Sequence, residues 1–397
     1  MEDDTVTQFS NCFILRNHEI FKEDLFIRHG KILNPESLFY DERRQAELKI
    51  DCQGLLICPG LIDIQINGGF GIDFAKISAD SNLLEEVTQK LFPYGVTSIC
   101  PTIVTSPKRV YDQVIPNVKK SKGGKNCANI LGLHLEGPFI AKAKKGAHPE
   151  NCLKDLSNGF QDILDLYGSL ENVAIITLAP ELDYPHFPVI RECTKQGVII
   201  ALGHSEATLE TAEAAVRSGA AMVTHLFNAM NGFHHRADPG FLGLLDSIEH
   251  QSVFYGLISD GIHANSQALK LAYRTNKKGM VLVSDAISAM GLKPGEKCWY
   301  GQHEIELKDS KAVIAGTDIL CGASTSVYHC MKNLIESAKV NLIDALEAAT
   351  LHPAQALGIA DSKGTLDFGA DADFVLLNSE TLEIRSTWIH GECVYKK

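Results

Sequence analysis

Between residues 61 and 285 the chain repeats one pattern: a short apolar run that ends in polar residues, then a longer segment with helical periodicity. Eight candidate strands stand out, at 61–67, 97–104, 130–136, 173–179, 198–203, 222–226, 253–259 and 280–285. Segments such as 81–92, 206–218 and 266–275 read as helices between them. Strands separated by helices pair in parallel, because a parallel pair needs a long crossover. Eight βα units in succession predict a parallel (β/α)8 TIM barrel. The length of 397 residues suits a barrel of roughly 250 residues plus a smaller companion.

The flanks read differently. Phe13-Ile14-Leu15, Leu25-Phe26-Ile27 and Leu55-Leu56-Ile57 are short apolar runs set between turn residues such as His29-Gly30 and Gln53-Gly54. Short strands return at 372–377, 384–389 and 393–395. Chain ends of one domain often lie close together. Both ends are therefore expected to build one small β-sandwich, from residues 1–58 and 356–397, around a barrel at 59–355. A helix at 342–351 should close the barrel and break at His352-Pro353 and Gly358. The stretch 292–313 holds Pro294-Gly295 and then alternates, so it is expected to be an inserted hairpin.

Composition narrows the function classes. A net charge of −12 opposes binding to nucleic acid or to an anionic membrane, since both need a basic surface. It leaves room for an anionic small molecule held by a local cluster of donors. The 11 cysteines include no CxxC pair and read as reduced, mostly buried thiols. The acidic, polar start at Met1 to Thr7 has no signal-peptide pattern, and no apolar run reaches the ~20 residues of a membrane span. A cytoplasmic location is the expectation.

The chemistry-bearing residues fall at the carboxyl ends of the candidate strands. These are Asn67, Glu136, His204, His225 with Asn228 beyond it, Asp260 to His263, and Asp285. TIM-barrel active sites lie on that face. Polar groups at so many strand ends would be costly in a packed core without partners. Two imidazoles and one carboxylate form a known catalytic zinc arrangement with a water in the fourth place, so Glu136, His204 and His225 are the candidate metal ligands. Each alone would more often be a hydrogen-bonded structural residue. Asp285 is the candidate general acid/base beside them; alone it would read as a strand-end cap. His134 shares a strand face with Glu136 and reads either as its supporting partner or as a satisfied core histidine. Arg236 reads as a phosphate fork or as a solvated surface cation. Lys142, Lys144 and Lys145 read as a solvated charge run, with His148 after them as a candidate substrate contact.

Taken in order, several segments resemble the amidohydrolase superfamily and, within it, the N-acetylglucosamine-6-phosphate deacetylase family. They are Cys58-Pro59-Gly60-Leu61-Ile62-Asp63, Leu133-His134-Leu135-Glu136-Gly137-Pro138-Phe139, Gly203-His204-Ser205 and Thr224-His225-Leu226-Phe227-Asn228-Ala229-Met230. Asp260-Gly261-Ile262-His263, Ser284-Asp285-Ala286 and the run Gly364 to Asp373 complete the set. The resemblance covers nearly the whole chain. It implies a hydrolase that uses a divalent metal to cleave an acetamide of a sugar phosphate, with a homodimer as the expected assembly. Asn228, Ala229 and Arg236 would meet the phosphate, Arg236 reaching a neighbouring subunit. Asp260 and His263, with Ala147 and His148, would serve the sugar, and Leu320, Cys321 and Gly322 would line the acyl end. Many superfamily members carry His-x-His where this chain has Gln65 and Asn67. Neutral amides are poor zinc ligands, so one catalytic ion is expected, zinc first and iron, cobalt or manganese as alternatives. Other readings are a deacetylase for the galactosamine epimer and a non-catalytic scaffold.

Overall fold

A computed structural model describes residues 4–246, 253–301 and 303–397. Met1 to Asp3, counted in the first sandwich segment, and Gln302, within the expected hairpin, lie outside the described residues.

Eight parallel strands form the barrel: β1 (Leu61–Ile66), β2 (Val96–Val104), β3 (Leu133–Glu136), β4 (Val173–Leu178), β5 (Ile199–Leu202), β6 (Ala220–Val223), β7 (Phe254–Leu257) and β8 (Met280–Leu282). Each pairs in parallel with the next. All of β1, β2 and β4 is buried, as expected of strands covered on both faces by helices and core. That double burial is why they read as continuous apolar runs rather than as alternating ones. The ring closes just past β8: Asp285 N–H donates to the Gln65 carbonyl at 2.8 Å and Asn67 N–H donates to the Ala286 carbonyl at 2.7 Å. The seam therefore runs through the chemistry-bearing residues.

Side-chain caps open several of the helices. Thr208 caps Leu209–Arg217 by accepting from the Thr211 N–H, and Asn265 caps Ser266–Thr275 by accepting from the Gln267 N–H. The closing helix differs from expectation. It is two helices, Leu342–Ala348 and Leu351–Ala356, and His352-Pro353 opens the second rather than ending the first. A proline in a first helical turn costs little, because its missing N–H has no intrahelical acceptor there.

The two chain ends meet in two sheets. Thr7–Ser10, Leu25–Arg28, Lys31–Ile32 and Leu48–Asp51 form one. In the other, Phe374–Leu377 of the C-terminal end pairs antiparallel with Leu56–Pro59 of the N-terminal end. Phe9, Ile14, Leu25, Ile57 and Phe374 pack between the sheets. Phe9 meets the Phe374 ring edge-on at 5.1 Å. The insert is larger than a hairpin: Lys297–Tyr300, His303–Lys308 and Lys311–Ile314 make a three-stranded antiparallel sheet. Among the described residues no helix is long and apolar enough to cross a membrane.

Candidate active site

Glu136 ends β3, His204 and His225 follow β5 and β6, and Asp285 follows β8, so the four converge at one end of the barrel. Glu136 Oε1 lies 3.1 Å from His204 Nε2 and 3.0 Å from His225 Nε2, and the two Nε2 atoms are 3.0 Å apart. All three side chains are buried.

Hydrogen bonding accounts for at most part of this triangle. His204 Nδ1 faces the Lys144 carbonyl oxygen at 2.8 Å, and a carbonyl only accepts. A neutral His204 thus carries its proton on Nδ1 and aims an Nε2 lone pair at Glu136 and at His225 Nε2. Metal bonds of about 2.0–2.1 Å at tetrahedral angles separate ligand atoms by roughly 3.3 Å. The observed spacings are close to that, and the three donor atoms lie within 4.8 Å of one another. The donor set fits one divalent cation.

Asp285 stands beside this cluster. Its Oδ1 accepts from Asn67 Nδ2 at 2.9 Å, with Gln65 Nε2 farther off at 3.5 Å. The two amide oxygens, Gln65 Oε1 and Asn67 Oδ1, are buried without a hydrogen-bond partner. The pair of amides therefore serves the carboxylate as donors. Burial, reinforced by the negative charge of Glu136, pushes the Asp285 carboxyl up to about 7. Burial, with His204 nearby, pushes His148 down to about 3, so its ring is neutral at ordinary pH; Thr105 Oγ1 sits 2.7 Å from its Nδ1.

The backbone here is strained. His204, His225, Ala229 and Asp285 have φ of 49°, 25°, 50° and 46°. Non-glycine residues in that region cost about 1–3 kcal/mol each and persist where the surrounding structure holds them. Their grouping around one cleft is a mark of a functional site.

That cleft has a volume of about 180 Å³. It is lined by Glu136, His204, His225 and Asp285 together with Ala147, His148, Asn228, Ala229, His263, Leu320 and Gly322. Three of the residues expected from the sequence lie elsewhere. Asp260 sits behind His263, with Oδ2 at 2.7 Å from His263 Nδ1 and Oδ1 accepting the Ile262 and His263 N–H groups. Cys321 is fully buried between its two lining neighbours. Arg236 is exposed on the loop beyond Asn228 and does not line the cleft of this chain.

His134 takes the bland reading. It is buried between the Ile64 carbonyl and Thr177 Oγ1, at 2.9 and 2.8 Å from its two ring nitrogens. Lys142 pairs with Glu150 at 2.7 Å on the surface. Tyr300 and Ile258 line the cleft and were missed. Along Lys297–Tyr300 the side chains of Cys298 and Tyr300 turn inward while Trp299 is exposed, so the run Cys298-Trp299-Tyr300 carries no alternation in the sequence that singles out Tyr300.

A second group that could hold a metal, Asp371, Asp373 and His390, is filled differently. Lys363 Nζ reaches both carboxylates, at 2.9 and 2.6 Å, and Lys31 Nζ lies 2.7 Å from Asp371 Oδ1. Two ammonium groups neutralise two carboxylates, so this is a charge cluster tying the chain ends together rather than a cation site.

A family model described as the amidohydrolase family matches residues 56–394. The chain is 50% identical to the N-acetylglucosamine-6-phosphate deacetylases of Mus musculus and Homo sapiens, over 98% of this chain and 96% of each relative. Among solved structures, an N-acetylglucosamine-6-phosphate deacetylase from Pasteurella multocida superposes with a TM-score of 0.86 at 27% identity, covering 99% of this chain and 100% of that one. A mutant N-acetyl-D-glucosamine-6-phosphate deacetylase from Mycobacterium smegmatis, in complex with N-acetyl-D-glucosamine-6-phosphate, superposes at 0.83 with 25% identity and 99% coverage of both chains.

Proposed function

The chain belongs to the amidohydrolase family, and we propose that it hydrolyses the acetamide of N-acetyl-D-glucosamine 6-phosphate to D-glucosamine 6-phosphate and acetate. The observation that carries this reading is the cluster of Glu136, His204 and His225 buried beside Asp285 in one cleft. It occurs in a chain half identical to deacetylases of that substrate over nearly their full length.

Glu136, His204 and His225 hold one divalent ion per subunit. Zinc suits two imidazoles and a carboxylate, and iron, cobalt and manganese accept the same donors. The amides at Gln65 and Asn67 support one ion rather than two. When bound, the ion supplies Lewis acidity toward the acetamide carbonyl and toward a water. Asp285 takes the proton from the attacking water and later delivers it to the departing nitrogen, so that the C–N bond breaks with a neutral amine leaving.

Asn228, Ala229 and Arg236 bind the phosphate. In a homodimer Arg236, which is exposed on this chain, would serve the neighbouring subunit's cleft. His263, oriented by Asp260, and the Ala147-His148 pair hold the sugar, while Leu320 and Gly322 flank the acyl group. The boundaries of the barrel are set at 59 and 355. Free cysteines, most of them buried, support a cytoplasmic location.

The test is acetate release from N-acetylglucosamine 6-phosphate, run beside its unphosphorylated form and its galactosamine epimer. The first substrate should be cleaved fastest. Faster cleavage of the epimer would reassign the substrate, and no release from any of the three would overturn the reading.

A further inference from the structure

Tyr300 stands between two cavities of similar size. One is the cleft around the Glu136 cluster and Asp285, about 180 Å³ in volume. The other, also about 180 Å³, lies toward β2 and is lined in part by Asp73, Thr105, Arg109 and His303. Among the described residues only Tyr300 and Ala147 line both. Of the two, Tyr300 carries by far the larger side chain.

The wall is pinned on both sides. Ser288 Oγ donates to the Trp299 carbonyl at 2.7 Å, and Gly301 N–H donates to Asp73 Oδ2 at 2.8 Å. Ser288 and Asp73 are themselves buried. Both chain neighbours of Tyr300 are thus anchored to the segments that leave β8 and β1. The ring, almost fully buried, packs in one apolar cluster with Val104, Ile287, Cys298 and Cys321. The backbone on either side of Tyr300 cannot shift without breaking two buried hydrogen bonds, and the apolar packing around the ring restrains its rotation.

We infer that Tyr300 limits the length of the acyl group this enzyme removes. The inference rests on the deacetylase reading above. Tyr300 lines the cleft together with Leu320 and Gly322, the residues that the proposed function sets beside the acyl group. An acetyl group ends at the wall. A propionyl or butyryl group would have to enter the space that the ring fills, and the second cavity is the room beyond it. Each methylene that a rigid apolar pocket cannot accept costs roughly 10–200-fold in kcat/KM.

The experiment compares kcat/KM for the N-acetyl, N-propionyl and N-butyryl derivatives of glucosamine 6-phosphate. It uses full-length, metal-replete wild type, Tyr300→Phe, Tyr300→Leu and Tyr300→Ala, with metal content and Tm measured for each. Wild type and Tyr300→Phe should both fall by about tenfold or more per added methylene. In Tyr300→Ala the butyryl-to-acetyl ratio should rise by about tenfold or more, and in Tyr300→Leu by less. Tyr300→Leu carries the test if the alanine variant fails to fold. Wild type that releases acetate, with butyryl-to-acetyl ratios unchanged in the folded variants, overturns the inference alone. Wild type that releases no acetate overturns the deacetylase reading, and this inference with it.

Discussion

Asn67 Nδ2 donates to Asp285 Oδ1 across 2.9 Å, joining the residue after the first barrel strand to one just past the eighth. The backbone hydrogen bonds that close the barrel flank this contact on both sides. Barrel closure thus sets the position of the carboxylate. Asn67 is a positioning residue in this account, because its amide acts through Asp285.

Replacing Asn67 by Ala removes that donor while leaving the metal ligands intact. A loss of such a supporting hydrogen bond typically costs about 10–100-fold. The loss should appear in kcat with KM and metal content little changed. Steady-state kinetics with metal analysis checks this, and a loss confined to KM would contradict it.

Metal removal should weaken the fold as well as stop turnover, since Glu136, His204 and His225 then leave a buried carboxylate beside two imidazoles. A ligand at 100 times its Kd stabilises the native state by about 2.7 kcal/mol. Chelated protein should melt several degrees lower and recover on adding one equivalent of zinc. Glu136→Gln protein should show little response to either step.

Asp260 holds His263 through the 2.7 Å contact between Oδ2 and Nδ1. Asp260→Asn weakens that charge-assisted bond and frees the ring. The expected result is a drop of roughly tenfold in kcat/KM with normal metal content. Equal kinetics in the variant would remove Asp260 from the account.

Asp63 makes stability depend on pH. It lies in β1, fully buried, and burial pushes its carboxyl up to about 7 even though Oδ1 accepts the Gln65 and Ser284 N–H groups at 3.3 and 3.2 Å. A folded-state pKa above the unfolded value gives a contribution that is complete below about pH 4 and lost as pH rises toward 7. Asp63→Asn keeps an acceptor oxygen without the titration. Urea unfolding across pH 4 to 8 should show the variant gaining on wild type as pH rises, then levelling off. A constant difference would contradict this.

The barrel was legible because strands buried on both faces leave long apolar runs, as at Val96–Val104. The strand-end polar residues were legible because a parallel barrel turns those ends to one face. Boundaries were less so. The expected strand at 130–136 breaks at Gly132, whose φ of 123° few other residues adopt. Residues 224–226 read as part of β6, but His225 leaves the strand with a positive φ. Apolar pattern alone does not report such a turn. Tyr300 and Arg236 show the limit most clearly. Tyr300 sits on a strand whose path is held by distant contacts, such as Gly301 with Asp73, and Arg236 on an exposed loop, with its N–H facing His234 Nδ1, outside the cleft.

The most direct test measures acetate release from N-acetylglucosamine 6-phosphate by metal-replete wild type and Asp285→Asn, with metal counted in both. The account predicts one ion per subunit in each protein, rapid release by wild type, and nearly complete loss of turnover in the variant. Comparable turnover in a metal-replete Asp285→Asn enzyme would contradict it.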